Sequence, residues 1–271
     1  MKFDSNLAWK QASAAISTNR EVVLALAGVF FLLPGLAIAL LFPQPDPAAN
    51  LSQEQMMAVF GDYYASILPV ALPMVLFQAV GTLGLLTLLT DRTRPTVGEA
   101  LKLGIKGIVP YLLAQILLGI AIGIVGGALL AITGASGVVA IAAIGIVGAV
   151  AIIAYVAIKT SLVAPVIVIE GERNPFQALK RSWQLTSGNS VRIALFYLLV
   201  VLAFLVVILI ATAIIGIVLS LLAGSEVGQV VGAVVSSALN AFMALYFVAI
   251  IAAIHRQLAG ESSMTIGQTF E

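Results

Sequence analysis

The chain has 271 residues, 61% of them hydrophobic and only 9% charged, against about 25% charged in a soluble globular domain. That excludes an ordinary water-soluble protein, and the absence of cysteine excludes disulfides, thiolate metal sites and cysteine nucleophiles. A single histidine, His255, leaves no room for a histidine-rich metal cluster; the net charge of +1 hides a strong spatial separation of charge, and no nucleic-acid partner is expected.

In chain order, six apolar runs are long enough to cross about 30 Å of hydrocarbon as helices. They are Val22 to Phe42, Ser66 to Leu89, Ile108 to Ile132, Gly137 to Ile158, Ile193 to Ala223 and Val227 to Ile254. An A-x-A pattern at Ala37 to Ala39 resembles a signal-peptide cleavage site, but the apolar run continues through Leu40, Leu41 and Phe42, so the segment reads as a span. The one sizeable external loop follows, with Pro43, Pro45 and Pro47 giving an extended start and Ser52 to Phe60 a short helix. Thr133 to Ser136 is so short a connection that spans three and four must form a tight antiparallel hairpin.

Charge sets the direction of insertion. All 13 Lys and Arg fall on one side: Lys2, Lys10, Arg20, Arg92, Arg94, Lys102, Lys106, Lys159, Arg173, Lys180, Arg181, Arg192 and Arg256. The opposite loops carry only Asp46, Glu54, Asp62 and Glu226. Both termini are therefore expected in the cytoplasm.

Three short stretches ahead of the outward-going spans resemble one another: Asn6-Leu7-Ala8-Trp9-Lys10, Gly98-Glu99-Ala100-Leu101-Lys102 and Phe176-Gln177-Ala178-Leu179-Lys180. Thr96 with Glu99 has capping-box spacing, and Asn174 before Pro175 makes a similar helix start. Phe176, Leu179 and Trp183 fall on one face of the third stretch, and Gln177, Lys180 and Gln184 on the other. The expected fold is all-α: a single integral membrane domain over residues 1–271, with six transmembrane helices as three hairpins. Each hairpin is preceded by a cytoplasmic amphipathic helix lying along the membrane. The repeats would be 1–90, 91–169 and 170–256, related by a pseudo-three-fold axis, with 257–271 a cytoplasmic tail.

Ionisable groups deep in a bilayer are costly and mark function, yet the spans are almost free of them. Lys159 sits at the cytoplasmic end of span four, where its stem can snorkel to the phosphates. Gln78, Gln115, Thr212 and Asn240 are the uncharged intramembrane polar candidates, suited to bonding across helices or to lining a solute path. Gly119, Gly123 and Gly127 recur every fourth residue in span three, as do Gly224, Gly228, Gly232 and Ser236 entering span six. Such rows admit close helix packing, inside the chain or between copies. Arg173, Lys180 and Arg181 beside Trp183 serve topology and also suit anionic lipid headgroups. No phosphate loop, zinc-protease helix, nucleophile elbow or paired-carboxylate site is present.

The stretch Glu170 to Asn189, EGERNPFQALKRSWQLTSGN, resembles the membrane-domain family of glycerophosphoryl diester phosphodiesterases and related YciC-like bacterial inner-membrane proteins. Pro175, Ala178, Leu179, Arg181, Ser182, Trp183, Leu185, Thr186, Gly188 and Asn189 carry the resemblance. It implies a membrane domain in a bacterial cytoplasmic membrane. In the phosphodiesterases hydrolysis belongs to an attached soluble barrel, so the resemblance supplies no catalytic residue, metal or cofactor here. The expected function is a non-enzymatic accessory or scaffold in membrane lipid or envelope maintenance, with lipids, further copies or other membrane proteins as partners. An uncoupled transporter or channel for a small or amphiphilic solute is the alternative, and would show a polar cavity reaching Gln78, Gln115 or Asn240.

Overall fold

The computed structural model describes residues 2–45, 51–90, 95–222 and 225–260, with side chains described throughout except at 218–226 and 229. The expectations placed on Asp46, Pro47, Arg92, Arg94 and Gly224, and on the tail beyond 260, lie outside the described residues.

Six helical segments are long and apolar enough to span a membrane. A separate helix, α1 (Ser5–Thr18), precedes the first, and Asp4 caps it by accepting from the Leu7 amide. Span one is broken into α2 (Arg20–Ala27), a π-helical turn (Gly28–Leu32) and α3 (Leu33–Leu41). The wider turn falls immediately before Pro34, whose missing N–H and bulky ring disturb the regular bonding of the preceding turn.

Span two is the 38-residue α4 (Gln53–Thr90), which absorbs the short helix expected at Ser52 to Phe60. Five residues, Gly61 to Ala65, separate that stretch from the apolar run, and a single glycine among them does not stop a helix. Ser52 and Gln55 cap its start reciprocally, at 3.2 and 2.9 Å.

Span three is equally long. α5 (Val97–Gly134) begins at the expected capping box, with Thr96 and Glu99 each bonding the other's backbone. It runs without interruption through Pro110. The second surface stretch is therefore not a separate amphipathic helix, as expected, but the first turns of the span, because nothing between Leu101 and Ile108 breaks the helix. At about 57 Å, α4 and α5 both exceed the hydrocarbon thickness.

The tight turn after α5 holds Gly137 at φ +67°, a left-handed conformation that favours glycine. α6 (Val139–Thr160) then crosses back, and α7 (Val163–Val168) is a buried apolar turn of helix. α8 (Pro175–Thr186) is the third surface helix, followed by α9 (Ser190–Leu222) and α10 (Ser225–Ala259) as spans five and six.

Burial is concentrated where the basic residues lie. The core joins Ala8 and Ala12, Val23 and Leu26, Leu83 to Leu89, Leu162 to Ile167, Ile193 to Val200 and Leu245 to Ile254. Half of the most apolar stretch of span six is buried, against 6% for spans three and five. In lipid an apolar side chain gains little by leaving the hydrocarbon, so helices close only where small residues or polar partners hold them. This unequal burial departs from the three equivalent hairpins that the repeat predicts.

Close approach is made by glycines other than those in the two regular rows. α4 and α5 cross at Gly84 and Gly104, where a Cβ on Gly104 would stand 2.9 Å from the Gly84 nitrogen. Gly107 presses on Val168 and Leu83, and Gly81 lies under Phe30. By contrast, a Cβ at Gly119, Gly123, Gly127 or Gly232 meets nothing within 4 Å. Among the described residues nothing packs against those four glycines, although their spacing marks a smooth stripe.

Candidate functional site: a polar clamp at the basic end

The conspicuous polar architecture is built from the motif between α7 and α9. Glu170 follows α7, and Gly171 at φ +74° turns the chain back. Glu172 then accepts from the Asn174 amide at 2.8 Å, and Asn174 caps α8 by accepting from Phe176 and Gln177. Pro175 fills the first helical position, where an N–H would have had no partner. Asn174 and Pro175 therefore start α8 as the sequence predicts.

Glu170 is the centre of the clamp. Its Oε2 accepts from Arg181 Nε at 2.8 Å, and its Oε1 lies 2.9 Å from His255 Nε2 near the end of α10. Burial opposes the carboxylate charge, but the bonds and charges of His255 and Arg181 outweigh it, so its pKa is lowered from the ordinary value. Arg181, expected at the headgroups, is thus paired with Glu170 while its side chain stays 37% exposed. His255 is itself buried, and the sequence reading assigned neither it nor Glu170 a bond. The signals were there: the only histidine of the chain, and an acidic residue opening the motif.

α8 presents three faces rather than two. Ala178, Ser182, Leu185 and Thr186 are buried against the bundle. Ser182 Oγ donates to the Lys159 carbonyl at 2.8 Å and accepts from the Leu162 amide at 3.1 Å, bridging the break between α6 and α7. Phe176 and Trp183 remain exposed, and Arg173 and Lys180 are exposed cations.

Lys159 is not the free snorkelling cation that the sequence suggests. It is 5% exposed. Its Nζ donates to Ser187 Oγ at 3.2 Å and stands 5.3 Å from the Trp183 ring centre and 5.7 Å from that of Tyr155.

The same end gathers the chain's first residues. Asn189 Oδ1 accepts from the Phe3 amide at 2.9 Å, while Gln257 bonds both the amide and the carbonyl of Asp4. Phe3 packs on Phe196 and Trp9 stacks on Tyr246. Arg256 Nη2 donates to the Leu89 carbonyl at 2.9 Å, closing the end of α4.

The intramembrane polar candidates are not brought together. Gln115 is exposed and bonds its own helix neighbour Tyr111, and Asn240 is exposed and donates to the Ser236 carbonyl. Gln78 is half-buried. A cavity of about 380 Å³ lies elsewhere, between α1 and α9, lined by Trp9, Phe196, Val200 and Phe204 with Ser5 and Asn6 as its polar members. Among the described residues no three of His, Asp and Glu gather as a metal site would need.

These features define a six-span helical membrane domain whose helix ends are bonded together at one face. Residues 136–260, spans four to six with the clamp between them, match the family described as the membrane domain of glycerophosphoryl diester phosphodiesterase. The resemblance read from Glu170 to Asn189 is thereby confirmed over a longer stretch. No curated protein and no solved structure shows a match.

Proposed function

We propose that the chain is a non-enzymatic accessory or scaffold in lipid or envelope maintenance, which presents a rigid basic face to lipid headgroups and to other membrane proteins. The observation that carries this reading is the clamp. Glu170 bonds Arg181 and His255 at once, so the turn after α7, α8 and the end of α10 are held together as one face. What the motif leaves outward is Arg173, Lys180, Phe176 and Trp183, two cations and two large apolar groups suited to an anionic bilayer surface. By the positive-inside rule this face belongs on the cytoplasmic side of a bacterial inner membrane.

Reconstitution into vesicles containing phosphatidylglycerol tests the reading. Retained anionic lipid, no release of entrapped solute and no hydrolysis of a glycerophosphodiester are expected. Solute release above that of empty vesicles would overturn it in favour of an uncoupled channel, and hydrolysis would overturn it in favour of an enzyme.

A further inference from the structure

Lys159 is a feature of this face that its internal bonding leaves unexplained. A lysine ammonium has three N–H donors, and among the described residues only Ser187 accepts from Lys159. No described carboxylate lies within ion-pair distance of it, whereas Glu170 is shared by Arg181 and His255. A lysine that is 5% exposed, with one hydrogen-bond acceptor and two ring contacts but no anionic partner among the described residues, is costly to bury.

The walls around the ammonium show what would compensate it. Tyr155 and Trp183 meet edge to face at 5.6 Å, and both are partly exposed on their outer sides. Ser187 is exposed, precedes Gly188 at φ +81°, and stands three residues before α9 begins. The amide N–H groups of a helix's first turn have no partner within the helix and favour anions, and Arg192 in that turn is exposed. Paired rings of this kind sit at the headgroup level of a bilayer.

We propose that Lys159, Ser187, Tyr155 and Trp183 form a binding site for the phosphodiester of an anionic phospholipid in the leaflet at the basic end. The phosphate oxygens take the remaining ammonium donors, Ser187 Oγ, which accepts from Lys159 and donates to the Trp183 carbonyl at 2.6 Å, holds the ammonium in place, and the two rings flank the headgroup while the acyl chains stay in the hydrocarbon beside α6. The proposal rests on the lipid-contact reading above and narrows it to one site. A free phosphate shares the same chemistry, but it lacks the acyl chains that hold a headgroup at this depth.

The test uses the full chain in maltoside micelles with Trp9→Phe, which leaves Trp183 as the sole tryptophan. Short-chain phosphatidylglycerol, glycerol phosphate and inorganic phosphate are each titrated against Trp183 emission. Saturable binding of phosphatidylglycerol is expected, weakened about tenfold or more by Lys159→Gln and retained within about threefold by Lys159→Arg. Lys159→Gln binding as the parent does would overturn the site while leaving the lipid-contact reading standing. Glycerol phosphate or inorganic phosphate binding as tightly as the lipid would overturn the lipid as its ligand. A parent protein that binds none of the three, and retains no phospholipid in native mass spectrometry, overturns both. Should Lys159→Gln not fold, Ser187→Ala decides in its place, with a loss of at least about threefold expected and unchanged binding overturning the site.

Discussion

Glu170 and His255 are separated by 85 positions in the chain, yet Oε1 of one lies 2.9 Å from Nε2 of the other. The bond ties the turn after α7 to the end of α10, and through Arg181 it ties both to α8. A loop that would otherwise hang from the membrane is thus fixed to two helices by one carboxylate.

This arrangement makes stability depend on pH in a defined sense. The folded pKa of Glu170 is lowered, so its contribution is fully present above the unfolded value of about 4.3. That contribution is lost as pH falls through the folded value. Thermal unfolding in detergent should show an acid-side loss of stability that Glu170→Gln flattens. At neutral pH the same variant should be about 1–3 kcal/mol less stable, because its bonds are no longer charge-assisted. Parent and variant curves with identical acid-side slopes would show that Glu170 does not control the acid limb.

Ser182 offers a sharper structural test because it is wholly buried and bonds on both sides. Ser182→Ala removes about one methyl-sized volume of polar oxygen and leaves the Leu162 amide without its acceptor. A loss of about 1–3 kcal/mol is expected, read as a lowered unfolding midpoint with the helical spectrum retained. An unchanged midpoint would mean that the break between α6 and α7 is held by packing alone.

Orientation can be read chemically, since the chain contains no cysteine. Ser52→Cys, beside the start of α4, and Ser136→Cys, in the turn after α5, lie opposite the basic end. Both should react with a membrane-impermeant maleimide on intact cells. Ser17→Cys, at an exposed position on α1, should react only after lysis. The reverse pattern would invert the topology that the Lys and Arg distribution dictates.

Much of this molecule was legible because its signals are local. Apolar runs fix the spans, and Thr96–Glu99 and Asn174–Pro175 fix helix starts whose bonds form within one turn. The clamp was only half legible. The motif announced that Glu170 to Asn189 matters, but the partners of Glu170 and Asn189 are His255 and Phe3, and no periodicity links residues so distant. Lys159 was placed correctly at a helix end and misjudged in its surroundings, because the Trp183 that covers it arrives from another helix. The repeat overstated symmetry: three similar stretches became two separate helices and the first turns of α5. Sequence similarity reports helix propensity, whereas the breaks that make a helix separate depend on the residues between.

The glycines separate spacing from packing most directly. Gly104 faces the backbone of Gly84, and neither helix can yield a rigid main-chain atom without moving as a whole. Gly104→Ala should therefore cost about 1–3 kcal/mol by overpacking and lower the unfolding midpoint. Gly119, Gly123 and Gly127 have open space where a methyl group would go. Replacing all three with alanine should leave the unfolding of the single chain within about 0.5 kcal/mol of the parent. Measuring both variants by thermal unfolding, with chain copy number followed by native mass spectrometry, distinguishes the uses of a small-residue row. A triple variant that unfolds early while remaining monomeric would show that α5 is packed within the chain along that stripe after all. One that keeps its midpoint but changes copy number would place the stripe between chains, in keeping with the open space that a methyl group meets at these glycines among the described residues.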